Sequence, residues 1–178
     1  MATPDADRRQ RRGQRDPRRA AASDVRHGQG VEVAARSSPR TLSCVLLAAL
    51  ALQLLLGMSV NLWVHIPAQH AGAHAAHYFA GVGQVIVWAL GSGATMLQLH
   101  VAMGLLLLVG GSVALMLAVR TGRPGWIWAT AIGLSGILGA GFNGASFLIF
   151  NYNLSSFLMT AAFVIAAASY TVGICAAP

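Results

Sequence analysis

From residue 41 onward, long runs of apolar residues alternate with short polar breaks, and this pattern predicts membrane-spanning helices. A helix needs about 20 mostly apolar residues to cross the hydrocarbon core of a bilayer, and four segments meet this length. The only charged residues after residue 40 are Arg120 and Arg123, whereas a charged side chain at the bilayer centre costs about 2.5–3.5 kcal/mol. We therefore predict an all-α membrane protein with four transmembrane helices. The predicted spans are 41–60, 94–119, 126–150 and 154–177.

The stretch between the first two spans, residues 61–93, is predicted to be a loop that contains one short helix. Residues 79–90 are apolar but too few to cross the membrane, and Gly91-Ser-Gly93 ends the run. The pattern is typical of an interfacial or re-entrant helix. In that position it could cap one end of the bundle.

Residues 1–40 have a different composition. They contain ten Arg and all five acidic residues, with no Leu, Ile, Phe, Tyr or Trp. Such a segment cannot bury enough apolar surface to offset the entropy of ordering, so we predict a disordered basic tail ahead of a membrane domain at 41–178. Arginine pairs can bind nucleic-acid phosphates, but no aromatic residues are interleaved to stack on bases. Nucleic acid is therefore not an expected partner.

The positive charges predict the orientation of the chain. The net charge of +7 divides into +5 from residues 1–40 and +2 from the turn that holds Arg120 and Arg123. Cytoplasmic segments carry an excess of Arg and Lys, and the tail and this turn lie on the same side if the four spans alternate in direction. The sequence predicts an up-down bundle in the cell membrane, with both termini cytoplasmic.

The distribution of carboxylates excludes several kinds of chemistry. All five acidic residues lie in the tail, so the membrane domain has no paired carboxylates for acid–base catalysis and no oxygen cage for a hard metal ion. No other catalytic motif is present. The composition favours a protein that is not an enzyme.

Histidines in the outer loop form a candidate metal site. If residues 68–78 were helical, His70, His74 and His77 would follow at i, i+4 and i+7 and share one face. Three imidazoles on one face suit a zinc or copper ion, with His65 as a further candidate ligand. The alternative is a polar loop whose histidines contact only water and lipid headgroups.

His100 and Asn143 form a second candidate site, inside the predicted spans. By helical rise, His100 lies about 9 Å and Asn143 about 10 Å below the outer ends of their helices. A polar ionisable residue within a span is a functional candidate, and the matching depths suggest a His100–Asn143 contact. Such a cluster could bind a small ligand or a divalent metal ion, or it could simply join two helices.

Haem is the alternative cofactor. A b-type haem in a four-helix membrane protein needs two axial ligands at one depth, and His100 is the only histidine in a predicted span. The second ligand would have to be a loop residue such as His74 or His77. On this hypothesis the chain is a small electron-transfer or assembly subunit of a larger membrane complex.

Small and polar residues recur on one face of each predicted span, which is how helices approach closely in lipid. These faces predict the packing core of the bundle, and they also leave open contact with another membrane protein. The oligomeric state is not predicted. The clearest faces are Ala49, Gln53, Gly57 and Asn61 in the first span, His100, Gly104 and Gly111 in the second, and Gly136, Ala140 and Gly144 in the third.

Two stretches of the membrane domain carry a resemblance. Asn61-Leu-Trp-Val-His-Ile-Pro67 and Gly139-Ala-Gly-Phe-Asn-Gly-Ala-Ser-Phe-Leu148 resemble patterns in small bacterial four-helix integral membrane proteins that have no assigned activity. The resemblance covers the membrane domain and not the tail. It implies the four-helix fold, and it implies no reaction, cofactor or functional residue.

Overall fold

The structure is a computed structural model that describes the backbone of residues 17–176 and the side chains of residues 39–176. This part of the chain is helical, with no β-strand. Among the described residues, 39–176 belong to one compact unit. The five helices are α1 (Pro17–Trp63), α2 (Tyr78–Ser92), α3 (Thr95–Thr121), α4 (Pro124–Phe150) and α5 (Asn153–Ala176).

Four of these helices contain a segment long and apolar enough to cross a membrane, which confirms the predicted number of spans. The segments have mean hydropathies between 1.5 and 2.4, and each contains at least 24 residues where about 20 suffice. The architecture is compatible with a multi-pass integral membrane protein. The four segments are Pro39–Trp63, Thr95–Thr121, Pro124–Phe150 and Asn153–Ala176.

The first helix begins earlier in the chain than the first predicted span does. The helix α1 begins at Pro17 rather than at Thr41, so helical backbone extends into the segment that we predict to be disordered. Alanine and arginine, which are common there, are good helix formers. Disorder is therefore not confirmed for this segment, and residues 1–16 lie outside the described residues.

The remaining helix boundaries follow from local backbone chemistry. Pro124 occupies the first turn of α4, where its missing N–H costs no hydrogen bond. Gly122 ends α3 in the left-handed conformation with φ 67°, which glycine adopts without a steric penalty. Asn151 ends α4 in the same conformation, with φ 55°.

All four spans contribute to one apolar core. Its buried side chains are small or branched except for Tyr170, which is fully buried. Because lipid is as apolar as these side chains, close packing rather than a hydrophobic effect must hold the helices together. The buried members of the core are Leu46, Leu50, Leu107, Ala114, Ile137, Ala166 and Tyr170.

The outward-facing surface of the spans is apolar and suits contact with a bilayer. Large side chains such as Leu55, Leu106 and Phe157 are more than 60% exposed. Several hydroxyl groups in the spans donate to the carbonyl of the residue four positions earlier, for example Ser112 to Leu108 at 2.8 Å. This bond satisfies the hydroxyl where no water is available.

The loop at residues 64–77 and α2 pack on the C-terminal end of α4. The Tyr78 hydroxyl lies 2.9 Å from Ser146 Oγ and donates to the Phe142 carbonyl, also at 2.9 Å. Val85 of α2 is fully buried in a small cluster with Ile149. These contacts attach the short helix to the membrane domain.

Candidate functional site

The most specific polar contact between two spans joins α1 and α3. Gln53 Nε2 of α1 lies 3.4 Å from His100 Nε2 of α3. One turn beyond each of these residues is a glycine, Gly57 on α1 and Gly104 on α3. We call Gln53, Gly57, His100 and Gly104 the crossing site.

Each polar side chain of the crossing site lies against the glycine of the other helix. A Cβ atom at Gly57 would lie 3.0 Å from His100 Cε1, and a Cβ atom at Gly104 would lie 3.4 Å from Gln53 Nε2. Gly57, the later residue on α1, therefore faces His100, the earlier residue on α3. Gln53 and Gly104 form the converse pair. The two helices run antiparallel at this point, and the arrangement is close to two-fold symmetric.

The sequence produces this geometry through the helical repeat. Residues four apart lie on the same face of a helix, one above the other, so a polar residue and a glycine share one face on each span. The glycines let the helices approach closely enough for the two polar ends to meet. The same two-part pattern, a long polar side chain followed four residues later by glycine, occurs at Gln53 and at His100.

The hydrogen-bonding capacity of the crossing site is only partly used. The amide nitrogen of Gln53 can only donate, so His100 Nε2 accepts, and the neutral imidazole then carries its proton on Nδ1. His100 Nδ1 and Gln53 Oε1 are both buried and have no hydrogen-bond partner in the described part of the chain. The site therefore offers one free N–H donor and one free carbonyl acceptor within a span.

Asn143 does not take part in this site. Its amide Nδ2 donates to the Gly139 carbonyl at 2.8 Å, one turn earlier on α4, and no hydrogen bond joins it to His100 among residues 39–176. Each of the two side chains thus has a different hydrogen-bond partner, and a shared binding role for His100 and Asn143 stays a prediction.

The loop histidines do not lie on the helical face that the metal-site prediction assumed. Residues 64–77 contain turns and bends rather than a helix, so His70, His74 and His77 have no common helical face. His65, His74 and His77 are exposed. Within the described residues, no group of three His, Cys, Asp or Glu side chains could hold one metal ion.

Two of these histidines have structural contacts instead. The His70 ring stacks on Trp88 of α2, with ring centroids 4.1 Å apart and planes inclined by 17°. His74 has a φ of 55°, an unfavourable conformation for a non-glycine residue. Its N–H donates to the Ile149 carbonyl at 3.0 Å, which holds the loop against the end of α4.

The contacts of His100 also bear on the haem alternative. Its polar and close carbon contacts are with Gln53 and Gly57, and neither residue is an axial ligand for iron. His74 and His77, the two candidates for a second axial ligand, are exposed. Among residues 39–176, the structure does not pair His100 with a second histidine.

Two further buried polar atoms are not anticipated by the sequence. Tyr170 is fully buried and Trp126 is 2% exposed, and neither the Tyr170 hydroxyl nor Trp126 Nε1 has a hydrogen-bond partner within the described residues. The Tyr170 hydroxyl lies 3.0 Å from the position of a Cβ atom at Gly111, and its ring covers Gly133. The sequence signal for the buried position of Tyr170 is the pair of glycines, Gly111 and Gly133, that face it. This signal can be recognised only when it is known which helices contact each other.

The comparisons with known proteins do not add to this description. No protein-family model, no curated protein and no solved structure matches this chain.

Proposed function

We propose that this chain is a non-enzymatic, multi-pass protein of the cell membrane that binds a small hydrogen-bonding ligand at the crossing site. The four spans run alternately up and down, and both termini are cytoplasmic. On this proposal the chain is one of the small bacterial four-helix membrane proteins that its sequence resembles. The crossing site lies between the first and second spans, nearer the outer side of the membrane.

The proposed orientation is supported by short connections and by charge. Only Gly122 and Arg123 separate α3 from α4, and only Asn151 and Tyr152 separate α4 from α5. Such short turns are typical of antiparallel helix neighbours. Arg120 lies in the last turn of α3 and Arg123 in the connection that follows, and the tail is also basic, so the positive-inside rule favours a cytoplasmic position for both regions.

The observation that supports ligand binding is the pair of unused hydrogen-bonding atoms. Buried polar groups are almost always paired, and an unpaired one costs about 1–3 kcal/mol. Here Gln53 Oε1 and His100 Nδ1 are both buried without a hydrogen-bond partner in the described part of the chain, in a region that a bilayer would surround. Polar residues within membrane spans commonly mark a functional site.

The two atoms define the chemistry of the ligand. A hydroxyl group can accept from His100 Nδ1–H or donate to Gln53 Oε1, because it carries both a donor and acceptor lone pairs. A ligand that reaches this site through lipid must be largely apolar elsewhere. We therefore expect a lipid-soluble molecule with a hydroxyl group rather than an ion.

The first experiment is a search for a bound molecule in detergent-purified protein. Native mass spectrometry, a visible absorption spectrum and metal analysis should be applied to the wild type and to the variants Gln53→Ala, His100→Ala and Asn143→Ala. We expect a bound mass in the wild type and in Asn143→Ala, because that amide is satisfied by Gly139. The bound mass should be absent from the other two variants.

A matched pair of probes tests the hydroxyl requirement directly. Dodecanol both donates and accepts a hydrogen bond, whereas its methyl ether only accepts. The alcohol should raise the melting temperature of the wild type more than the ether does, and His100→Ala should remove this difference. Equal shifts from both probes in the wild type would contradict a hydrogen-bonded site.

A purely structural role is the second candidate, because each polar side chain fits the glycine of the facing helix. In that case no molecule would be retained, and both Gln53→Ala and His100→Ala would lower stability. A Soret band that disappears in His100→Ala would instead identify a haem subunit. Co-purification of a second membrane protein without any cofactor would indicate an assembly role.

A further inference from the structure

Three arginines lie at the same end of the membrane domain. The direction is given by the contact between Leu46 of α1 and Gly110 of α3, where Leu46 Cδ2 is 3.0 Å from the position of a Cβ atom at Gly110. Arg40 lies about 9 Å from this contact along α1, and Arg120 about 15 Å along α3, at 1.5 Å per residue. Because these helices are antiparallel, both displacements point to the same end.

Arg123 completes the group. It immediately precedes α4 and follows Arg120, in the last turn of α3, by three residues, so two positive charges lie close to the connection between the two helices. Arg40 and Arg120 are exposed, and Arg123 is partly buried. We call Arg40, Arg120 and Arg123 the arginine group.

No carboxylate within residues 39–176 neutralises this charge, because that part of the sequence contains neither Asp nor Glu. The first turn of α4 also lacks an acidic residue. The positive end of the α4 helix dipole therefore adds to the charge of Arg123 instead of offsetting it. Within residues 39–176 the arginine group therefore has no carboxylate partner, and the opposing partial charge is the negative end of the α3 dipole beside Arg120.

The neighbouring side chains place the arginine group at the level of lipid headgroups. Trp128, one turn into α4, is 68% exposed, and exposed tryptophans concentrate at the membrane interface. Arginine binds phosphate with two parallel hydrogen bonds. A phosphate at this depth belongs to a phospholipid, and a net negative headgroup matches the charge of the arginine group.

We propose that the arginine group is a binding site for the headgroup of an anionic phospholipid such as phosphatidylglycerol. This site lies at the opposite end of α1 and α3 from the crossing site and does not depend on the function proposed for that site. Arg120 and Arg123 supply the turn side of the site. Arg40 supplies the side formed by α1.

The test compares lipid retention by the full-length protein after reconstitution in nanodiscs. Native mass spectrometry should count phosphatidylglycerol and phosphatidylcholine bound to the wild type, to Arg120→Gln/Arg123→Gln and to the charge-matched control Arg8→Gln/Arg9→Gln. One arginine near an anionic surface contributes about a fivefold change in affinity, so the turn variant should lose roughly 25-fold for phosphatidylglycerol. Phosphatidylcholine binding should not change in any variant.

Two further arms decide the interpretation. Arg120→Lys/Arg123→Lys should recover most of the loss, because lysine restores the charge without the paired hydrogen bonds. Inorganic phosphate at millimolar concentration should not displace the lipid, and displacement would show a phosphate-ion site instead. An equal loss in the tail control, or no loss in the turn variant, would overturn the proposal.

Discussion

Two helix contacts in this molecule solve the same packing problem with different chemistry. Along the contact between α4 and α5, glycines of α4 meet backbone and apolar atoms of α5. At Gly136 an added Cβ would lie 2.8 Å from the Ala162 carbonyl oxygen and 2.9 Å from the Ala166 nitrogen. At the crossing site of α1 and α3, the glycines instead receive the polar side chains of Gln53 and His100.

The difference indicates which contact can change. Backbone atoms of a helix cannot move out of the way without breaking their own hydrogen bonds, so the α4–α5 contact is rigid. Side chains can adopt other rotamers at modest cost. The crossing site also retains unpaired polar atoms, with which a ligand could form hydrogen bonds. The contact around Gly136 offers no such atoms in the described part of the chain.

The largest expected effect is at Tyr170, which fills the space beside Gly133 and Gly111. Tyr170→Ala should lower the free energy of unfolding by about 3–5 kcal/mol, because it removes a fully buried aromatic ring. Tyr170→Phe should be neutral or stabilising, since the hydroxyl has no partner in the described part of the chain. Unfolding in bicelles with increasing denaturing detergent measures both, and a large loss in Tyr170→Phe would show that the hydroxyl is paired.

Gly136→Ala should have the next largest effect. The added methyl group meets backbone atoms of α5 at under 3.0 Å, and overpacking of this kind costs about 1–3 kcal/mol. Gly141→Ala is the matched control, because no atom lies within 4 Å of its added Cβ. If Gly136→Ala and Gly141→Ala unfold at the same detergent concentration, the α4–α5 contact is not rigid as described.

At the crossing site, Gly57→Ala should cost less, about 1 kcal/mol, the lower end of the overpacking range. Its added Cβ lies 3.0 Å from a ring carbon of His100, whereas that of Gly104→Ala lies 3.4 Å from Gln53 Nε2, which is an ordinary contact. Gly104→Ala should therefore be nearly neutral. Thermal unfolding of the two variants in one detergent would test this order, and the reverse order would contradict the described geometry.

The smallest effect concerns the polar contact itself. Interhelical hydrogen bonds in membranes contribute about 0.6 kcal/mol on average, so a double-mutant cycle of Gln53→Ala and His100→Ala should give a coupling near this value. The same cycle for His100→Ala and Asn143→Ala should give none, because these residues have separate partners. A coupling between His100 and Asn143, with none between Gln53 and His100, would contradict the described partners and support a His100–Asn143 contact.

The candidate site shows how far sequence reasoning extends. His100 stands out because it is the only histidine in a predicted span, and Gln53 and Gly57 are visible as part of a small and polar helix face. The prediction of Asn143 as the partner of His100 used only the depth of each residue along its helix. Depth does not say in which direction around the helix axis a side chain lies. The partner is decided by the rotation of each helix about its own axis, and only the packed structure fixes that rotation.

The loop that holds His70, His74 and His77 shows a second limit of sequence reasoning. Their spacing would suit a metal only if residues 68–78 were helical, yet the loop turns there through Gly72 and His74, both with positive φ. The turn is stabilised by a contact with the end of α4, the bond from the His74 N–H to Ile149. A segment whose conformation depends on a distant helix cannot be assigned from its own residues.

The sequence by itself determined the number and class of the helices that are long and apolar enough to cross a membrane, because the cost of placing charge in hydrocarbon acts on each segment separately. The tertiary structure alone decided which polar residues meet. It paired His100 with Gln53, placed Tyr170 between Gly111 and Gly133, and left Asn143 bonded within its own helix. Those outcomes depend on contacts between residues that are distant in sequence. Such contacts produce no periodic pattern within a single segment, so the sequence alone does not reveal them.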